Sequence, residues 1–150
     1  MQLNKFTDYA LRILMYIAIP QQQPYTIATL ATRLQVSPNH AMKIVHFMAK
    51  QDWVITSRGK GGGIRLNPET KQLKLGYMVR ILQGETAIVE CNQPACILRA
   101  NCGLKSILDQ ALAQFYIYLD QYTLGQILTP QKSHQAQSHI AIELLNISDL

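Results

Sequence analysis

The strongest constraint on the fold is the Ser37-Pro38 pair, which lies between two short stretches whose apolar residues recur at helical spacing. A serine hydroxyl can accept hydrogen bonds from the free N–H groups at a helix start, and proline is tolerated at the first helical position. The pair predicts a helix from Pro38 to about Gln51. A shorter helix capped by Thr26 and a tight turn at Gln35 precede it, so the segment has a helix-turn-helix pattern.

A β-hairpin is predicted directly after this helix. Its strands are Trp53–Ser57 and Ile64–Leu66, and the segment RGKGGG, Arg58–Gly63, forms the tip between them. A β-hairpin in this position is the wing of a winged helix. The fold class predicted is therefore mainly α with a small β-hairpin wing, a winged helix-turn-helix that continues into a long dimerisation helix.

Two sets of residues are candidates for contact with DNA. The first set lies at the start of the helix predicted from Pro38, which is the third along the chain. Its members, Ser37, Asn39, His40 and Lys43, are expected to face base edges in the major groove. The alternative there is a surface helix that merely begins with polar residues.

The wing supplies the second set, which comprises Arg58, Lys60, Gly61 and Gly62. The glycines would let the tip approach a duplex closely while the cations reach phosphates or the minor groove. A phosphate loop is excluded because Gly61, and not Ser or Thr, follows Lys60 and a strand comes next. The alternative is an ordinary solvated hairpin.

The charge distribution agrees with an N-terminal DNA-binding surface. Residues 1–90 carry eleven Lys and Arg against five Asp and Glu, whereas residues 91–150 carry three against four. The first twenty residues include an apolar run, but Asp8 and Arg12 interrupt it and no cleavage site follows, so neither a signal peptide nor a membrane span is predicted. We expect a cytoplasmic protein that does not contact a membrane.

Four further helical segments are predicted. We expect a first amphipathic helix from about Asn4 to Ile19, a short helix over Leu75–Leu82 ended by Gly84, a long helix over Gly103–Tyr122 and one or two further turns over Thr123–Leu128. The long helix is apolar on two faces, which suggests packing on its own domain and on a second subunit.

This reading gives four regions. They are a winged helix-turn-helix region (1–83), a cysteine-bearing loop (84–103), a dimerisation region (104–128) and a polar tail (129–150) that we expect to be mobile at its start.

All three cysteines lie in the stretch CNQPACILRANC, at Cys91, Cys96 and Cys102. A disulfide would leave one thiol over and is rare in a reducing compartment, and structural zinc sites usually offer pairs of C-x2-C. Soft thiolates at close spacing on a loop suit iron–sulfur ligation, which normally takes four ligands. The spacing alone leaves buried structural thiols and an iron–sulfur site both open, and a fourth ligand is missing.

As a set, these segments resemble a known family. LNKFTDYALRILMYIA, VSPNHAMKIV, RGKGGGIRL and the C-x4-C-x5-C spacing are similar to those of the winged-helix iron–sulfur regulators that include NsrR and IscR, and most similar to the family's nitric-oxide-sensitive repressors. The resemblance extends to about Leu128. It implies a homodimer that binds a palindromic operator in double-stranded DNA, and it implies a regulator rather than an enzyme.

The resemblance also bears on the missing ligand. Some members complete the set with a histidine shortly after the third cysteine, but Gly103-Leu104-Lys105 follows here. Others use a carboxylate from the first helix of the partner subunit, which maps onto Asp8. Arg12, one turn later, would pair with Asp8 or hold it in place.

The function implied is that of a repressor whose operator binding is controlled by a nitric-oxide-sensitive iron–sulfur cluster, with [4Fe–4S] favoured over [2Fe–2S]. Three alternatives stay open: a transcriptional sensor of iron–sulfur supply or oxidative stress, an iron–sulfur electron carrier, and a zinc-stabilised DNA-binding protein.

Overall fold

The structure is a computed structural model that describes residues 2–59, 61–84, 87–100 and 102–128 of the 150-residue chain. The tail from residue 129 onward, for which mobility was expected, lies outside the described residues. The elements follow in the order α1 (Lys5–Ile17), α2 (Ile27–Leu34), α3 (Pro38–Lys50), β1 (Val54–Ser57), β2 (Gly63–Leu66), a 3-10 helix (Pro68–Gln72), α4 (Leu75–Gln83), α5 (Leu104–Leu119) and α6 (Leu124–Leu128).

The predicted fold class is confirmed, and local chemistry explains the main boundaries. Asn4, Thr26 and Ser37 cap α1, α2 and α3 by accepting hydrogen bonds from backbone N–H groups in the first turns. Gln35 ends α2 in the left-handed conformation, with φ of 53°. The α2–α3 connection is therefore the tight turn that the sequence predicted.

Some predicted boundaries were wrong by a few residues. The first helix ends at Ile17 rather than Ile19, and the long helix ends at Leu119 rather than Tyr122. The hairpin strands pair Val54–Ser57 with Gly63–Leu66, so Gly63 belongs to the returning strand rather than to the tip. The 3-10 helix after the wing was not predicted at all.

One hydrophobic core joins the N-terminal helices, the wing and α4. Helix α1 packs against α2, α3 and α4, while α3 also contacts α2 and β1. Seven large apolar side chains of the core or its edge are less than 2% exposed: Ile13, Leu14, Leu30, Ile44, Met48, Met78 and Leu124. Each contributes about 1.5–3 kcal/mol by leaving water, so this core fixes the position of α3 relative to α1 and the wing.

The wing is anchored to the body by a short backbone bridge. Tyr25, just before α2, exchanges two hydrogen bonds with Ile64 of β2, with N···O distances of 3.0 and 2.7 Å. Both side chains are buried. The base of the hairpin is thus fixed to the helix-turn-helix, and its tip extends from that base.

Helix α5 is different, since none of its residues is buried in the single chain. It touches the rest of the protein mainly through α4, where Gly76 allows a close approach: a Cβ at this position would overlap the Tyr116 carbonyl and the Asp120 carboxylate. Arg80 reinforces the crossing through a hydrogen bond of 2.6 Å to Asp120. Most of the surface of α5 therefore remains open to solvent.

Candidate functional site

The N-terminal part of α3, together with its cap residue, presents three of the four predicted DNA contacts to solvent. Ser37 accepts a hydrogen bond from the His40 N–H at 3.3 Å, which sets where the helix starts. Ser37, Asn39 and Lys43 are exposed, and Met42 beside them is 54% exposed. A polar and cationic surface with one apolar side chain is thus available at the end of the helix that would enter a major groove.

His40 has a different environment from the other three. It is half-buried, and its ring lies edge-on to Tyr9 of α1, with the ring centroids 5.5 Å apart. The Phe6 ring is a second aromatic neighbour, with its centroid 6.3 Å from that of His40. These two aromatic neighbours restrict the orientation of His40, an effect that the helical spacing of α3 alone does not reveal.

The wing tip contains a tight turn that requires glycine. Gly59 and Gly61 have φ of 91° and 82°, and the Gly62 N–H donates a hydrogen bond of 2.9 Å to the Gly59 carbonyl. Any Cβ at Gly62 would lie 2.5 Å from the Ser57 carbonyl oxygen. Arg58 and Gly61 are exposed, whereas Lys60 lies outside the described residues.

The three cysteines lie on the loop between α4 and α5, and all three are half-buried free thiols. The loop folds back on itself, because the Cys96 N–H donates to the Cys91 carbonyl at 3.2 Å and the Arg99 N–H donates to the Cys96 carbonyl at 3.1 Å. Within the described ranges, no three His, Cys, Asp or Glu side chains are grouped closely enough to hold a metal ion. One copy of the chain therefore carries suitable soft donors without assembling them around one point.

A positive charge lies close to this loop at the start of α5. The pKa of Lys105 is raised, chiefly by its hydrogen bond with Asp109 and by the charge of that carboxylate, with a smaller contribution from Cys91. Three free thiols on one loop fit the donor chemistry of an iron–sulfur cluster, although they are one ligand short.

Asp8 lies on α1 and is paired with Arg12, as the sequence predicted. The Arg12 Nε donates to Asp8 Oδ1 at 2.8 Å, and the two side chains are 56% and 40% exposed, respectively. The structure does not bring Asp8 into a ligand group with the cysteines of its own chain. An exposed carboxylate of this kind is accessible to a second molecule.

Sequence reasoning missed a hydrogen-bond cluster between the start of α1 and the end of α4. Gln83 Oε1 accepts hydrogen bonds from the Thr7 hydroxyl at 2.8 Å and from the Asn4 N–H at 3.2 Å. Gln83 is the last residue of α4, and Gly84 begins the cysteine loop. The cluster therefore fixes the end of α4, where that loop begins, to the first turn of α1. No local pattern in the sequence indicates it.

The profile of the Rrf2 family, described as iron-dependent transcriptional regulator, matches residues 3–130. The chain belongs to the Rrf2 family. It is 36% identical over 132 residues to the HTH-type transcriptional regulator NsrR of Bacillus subtilis. The aligned region covers 85% of this chain and 90% of that protein. It is also 36% identical over 135 residues to NsrR of Bacillus licheniformis, with 87% and 94% covered.

Solved Rrf2-type structures share the fold. Staphylococcus aureus CymR superimposes with a TM-score of 0.68 at 18% identity, covering 87% of this chain and all of that one. IscR of T. potens gives 0.66 at 19% identity, covering 93% and 95%. The protein is a transcriptional regulator of the Rrf2 type, and its relatives are named as regulators rather than enzymes. Among the described helices, none has both the length and the apolar character that a bilayer crossing requires.

Proposed function

We propose that this Rrf2 protein is a DNA-binding transcriptional repressor whose operator binding is controlled by an iron–sulfur cluster sensitive to nitric oxide. The observation that carries the proposal is the set of three free, half-buried thiols on the loop that links α4 to α5. Chains named NsrR are its relatives at 33–36% identity over most of its length. Thiolate ligands on a loop suit iron–sulfur chemistry better than they suit core packing.

In this proposal Cys91, Cys96 and Cys102 hold the cluster, and Asp8 of the partner subunit supplies the fourth ligand. A [4Fe–4S] cluster is favoured over [2Fe–2S], and when bound it supplies iron that reacts with nitric oxide. Asp8 is suitable because its side chain is 40% exposed, and its exposed pairing with Arg12 in the single chain can be exchanged for another partner at little cost. A carboxylate oxygen is harder than a thiolate, so the iron it binds is held less firmly than the other irons.

The DNA-binding part of the proposal uses both candidate sets. Ser37, Asn39, His40 and Lys43 would enter the major groove. The wing would place Arg58, Lys60, Gly61 and Gly62 against the backbone or minor groove. Two copies joined through α5 would read the two halves of a palindrome, since the symmetry of the site mirrors that of the protein.

The decisive experiment is anaerobic reconstitution of the full chain, with iron and sulfide counts and an absorption spectrum before and after nitric oxide. The reconstituted protein is first used to select a palindromic duplex from a random library. Binding to that duplex is then measured by fluorescence anisotropy. We expect cluster-bearing protein to bind tightly and nitric oxide to weaken binding by about a hundredfold, which requires ~2.7 kcal/mol of coupling.

Three controls separate the proposal from its alternatives. Cys91→Ala, Cys96→Ala and Cys102→Ala should each abolish cluster retention; three variants that keep their iron would place the site elsewhere. A response to oxygen or peroxide with none to nitric oxide would indicate a sensor of iron–sulfur supply or oxidative stress. A colourless preparation that contains zinc and binds DNA would contradict the iron–sulfur proposal.

A further inference from the structure

A row of side-chain contacts joins Asp8 on α1 to the first turn of α3. Asp8 accepts the hydrogen bond from Arg12, whose guanidinium carbon lies 5.8 Å from the centre of the Tyr9 ring. The Tyr9 ring in turn meets the His40 ring edge-on at 88°, with centroids 5.5 Å apart. Each step lies within the range of cation–π and aromatic pair contacts.

These contacts are weak enough to rearrange, as contacts that pass a change at Asp8 on to His40 would have to be. The Asp8–Arg12 pair is exposed, so it contributes little to stability and is easily rearranged. Tyr9 and His40 are each half-buried, so neither ring is enclosed on all sides and the orientation of His40 depends on the aromatic neighbours that it has. The contact between Tyr9 and His40 joins α1 to α3, so the orientation of His40 depends on a neighbour outside its own helix.

A second aromatic pair in the same interface provides a contrast. Phe6 of α1 and Phe47 of α3 also meet edge-on, at 89° and with centroids 5.3 Å apart. Phe47 lies near the C-terminal end of α3, away from the first turn, and none of the described contacts links this residue directly to Arg12 or Asp8. Phe6 also lies near His40, with ring centroids 6.3 Å apart. What distinguishes the two pairs is therefore the link to Arg12 and Asp8, which the described contacts give to Tyr9 and not to Phe6 or Phe47.

We infer that Tyr9 is a positioning residue that orients His40 for DNA contact and transmits the state of the Asp8 carboxylate to it. When Asp8 pairs with Arg12, the guanidinium is held over the Tyr9 ring. When Asp8 is engaged differently, Arg12 is released, Tyr9 shifts, and His40 changes its rotamer at the start of α3. The inference rests on the proposed function, because it gives Asp8, the proposed fourth cluster ligand, a consequence at the DNA surface.

The first test needs neither cluster nor DNA. In cluster-free full-length protein at one fixed pH, the ring C–H resonances of His40 are recorded by NMR in the wild type and in Asp8→Asn, which keeps the shape of the side chain and removes its charge. We expect the His40 resonances to move and those of His46, exposed on the same helix, to stay. In a Tyr9→Leu background, Asp8→Asn should leave His40 unmoved.

Two results of this test would overturn the inference. One is a His40 signal that ignores Asp8→Asn in the wild type, and the other is a His40 signal that still responds when Tyr9 is leucine. A failure of the proposed function is distinguishable, because it would appear as wild-type protein that binds no cluster or no operator, whatever the His40 spectra show.

The second test measures how strongly operator affinity depends on the cluster. For the selected palindromic duplex, the ratio of Kd between cluster-free and cluster-bearing protein should fall about three- to tenfold in Tyr9→Leu, the scale of one aromatic pair. Tyr9→Phe, which keeps the ring, should restore the wild-type ratio. Phe47→Leu should lower the free energy of unfolding and leave the ratio unchanged; equal effects of Tyr9→Leu and Phe47→Leu on the ratio would reduce Tyr9 to a packing residue.

Discussion

Thr7 shows how one hydroxyl holds two distant parts of this chain together. It is 0% exposed, its N–H is bonded to the Asn4 side chain at 2.7 Å, and its hydroxyl donates to Gln83 Oε1. A buried hydroxyl that lacked a partner would cost free energy, so the Gln83 contact is what makes Thr7 tolerable inside the core. The start of α1, including Asp8, is thereby fixed to the end of α4.

Replacing Thr7 by valine tests this contact at constant shape. Thr7→Val removes the donor to Gln83, so we expect the free energy of unfolding, measured by urea denaturation, to fall by about 1 kcal/mol. Thr32→Val is the matched control, since it makes the same change at an exposed position of α2. That control should stay within about 0.5 kcal/mol of the wild type. Equal losses in the two variants would mean that the Thr7–Gln83 hydrogen bond contributes nothing specific.

What could be predicted at the residue scale depends on sequence separation. The caps at Thr26 and Ser37 join residues three apart, and the Asp8–Arg12 pair joins residues four apart, so helical geometry alone predicts them. Thr7 and Gln83 are 76 residues apart, and no periodicity connects them. For the same reason the contact of His40 with Tyr9 became visible only once α1 was packed on α3.

Among the elements, the α4–α5 crossing is the one that joins the winged helix to the long helix. Gly76 lets the two backbones approach, Arg80 donates to Asp120, and the Arg80 guanidinium carbon lies 4.8 Å from the centre of the Tyr116 ring. The cysteine loop connects these same two helices. Any change at the loop therefore acts on a crossing held by close packing and one partly exposed ion pair.

The ion pair makes this crossing sensitive to acid. The hydrogen bond from Arg80 holds the pKa of Asp120 below its usual value of 3.8. A carboxyl whose pKa is lower in the folded state stabilises the fold above its unfolded-state pKa and loses that contribution as the pH falls through the folded-state value. Asp120→Asn should therefore lower the free energy of unfolding at about pH 6, by up to about 1 kcal/mol for a partly exposed pair.

The measurement is denaturation of both proteins between about pH 6 and pH 2.5, where the two curves should converge at the acid end. Asp109→Asn is the control, because it makes the same charge change in a pair that lies within α5 and joins no second helix. We expect a smaller effect there than at Asp120, because solvent screens an exposed pair within one helix. An effect of Asp120→Asn that is independent of pH would refute the assignment.

The elements themselves were largely predictable, with exceptions that have physical causes. Capping residues and apolar spacing located each α-helix in the part of the chain that the structure describes, and the glycine-rich tip located the hairpin. The 3-10 helix over Pro68–Gln72 was missed because five residues are too few for a periodic signal; it begins where Asn67 accepts a hydrogen bond from the Glu69 N–H. The strand limits shifted by one residue because pairing, rather than composition, decides where Gly63 belongs.

At the scale of the whole molecule, α5 is the feature that one copy of the chain leaves unexplained. Leu104, Ile107, Ile117 and Tyr118 are between 51% and 64% exposed, on a helix with no buried residue. An apolar groove of about 310 Å³ lies beside α5, between it and α1, lined by Leu3, Leu11, Met15, Leu75, Val79, Phe115, Leu119 and Ile127. Exposed apolar surface of this extent marks an interaction site, and the proposed dimer would cover it.

The proposed dimer would also explain why the candidate ligand set is incomplete in one chain. The sequence supplied three thiols and, through family resemblance, a carboxylate on the first helix. The structure of a single copy does not gather them. No pattern within one chain can place Asp8 beside cysteines of another, so this part of the site was beyond local reasoning and depends on assembly.

Ile107→Lys tests assembly and ligation together. Because Ile107 is 64% exposed in the single chain, a lysine there should not disturb the folded monomer, but it would place a charge in the proposed interface. We expect sedimentation velocity to show a dimer for the wild type and a monomer for Ile107→Lys, with unchanged far-UV circular dichroism. Gln114→Lys, at an exposed polar position of the same helix, should remain dimeric. A monomer would lack Asp8 of the partner subunit, so Ile107→Lys should also retain less iron after anaerobic reconstitution. A monomeric variant with full iron content would show that the fourth ligand comes from the same chain or from outside the protein.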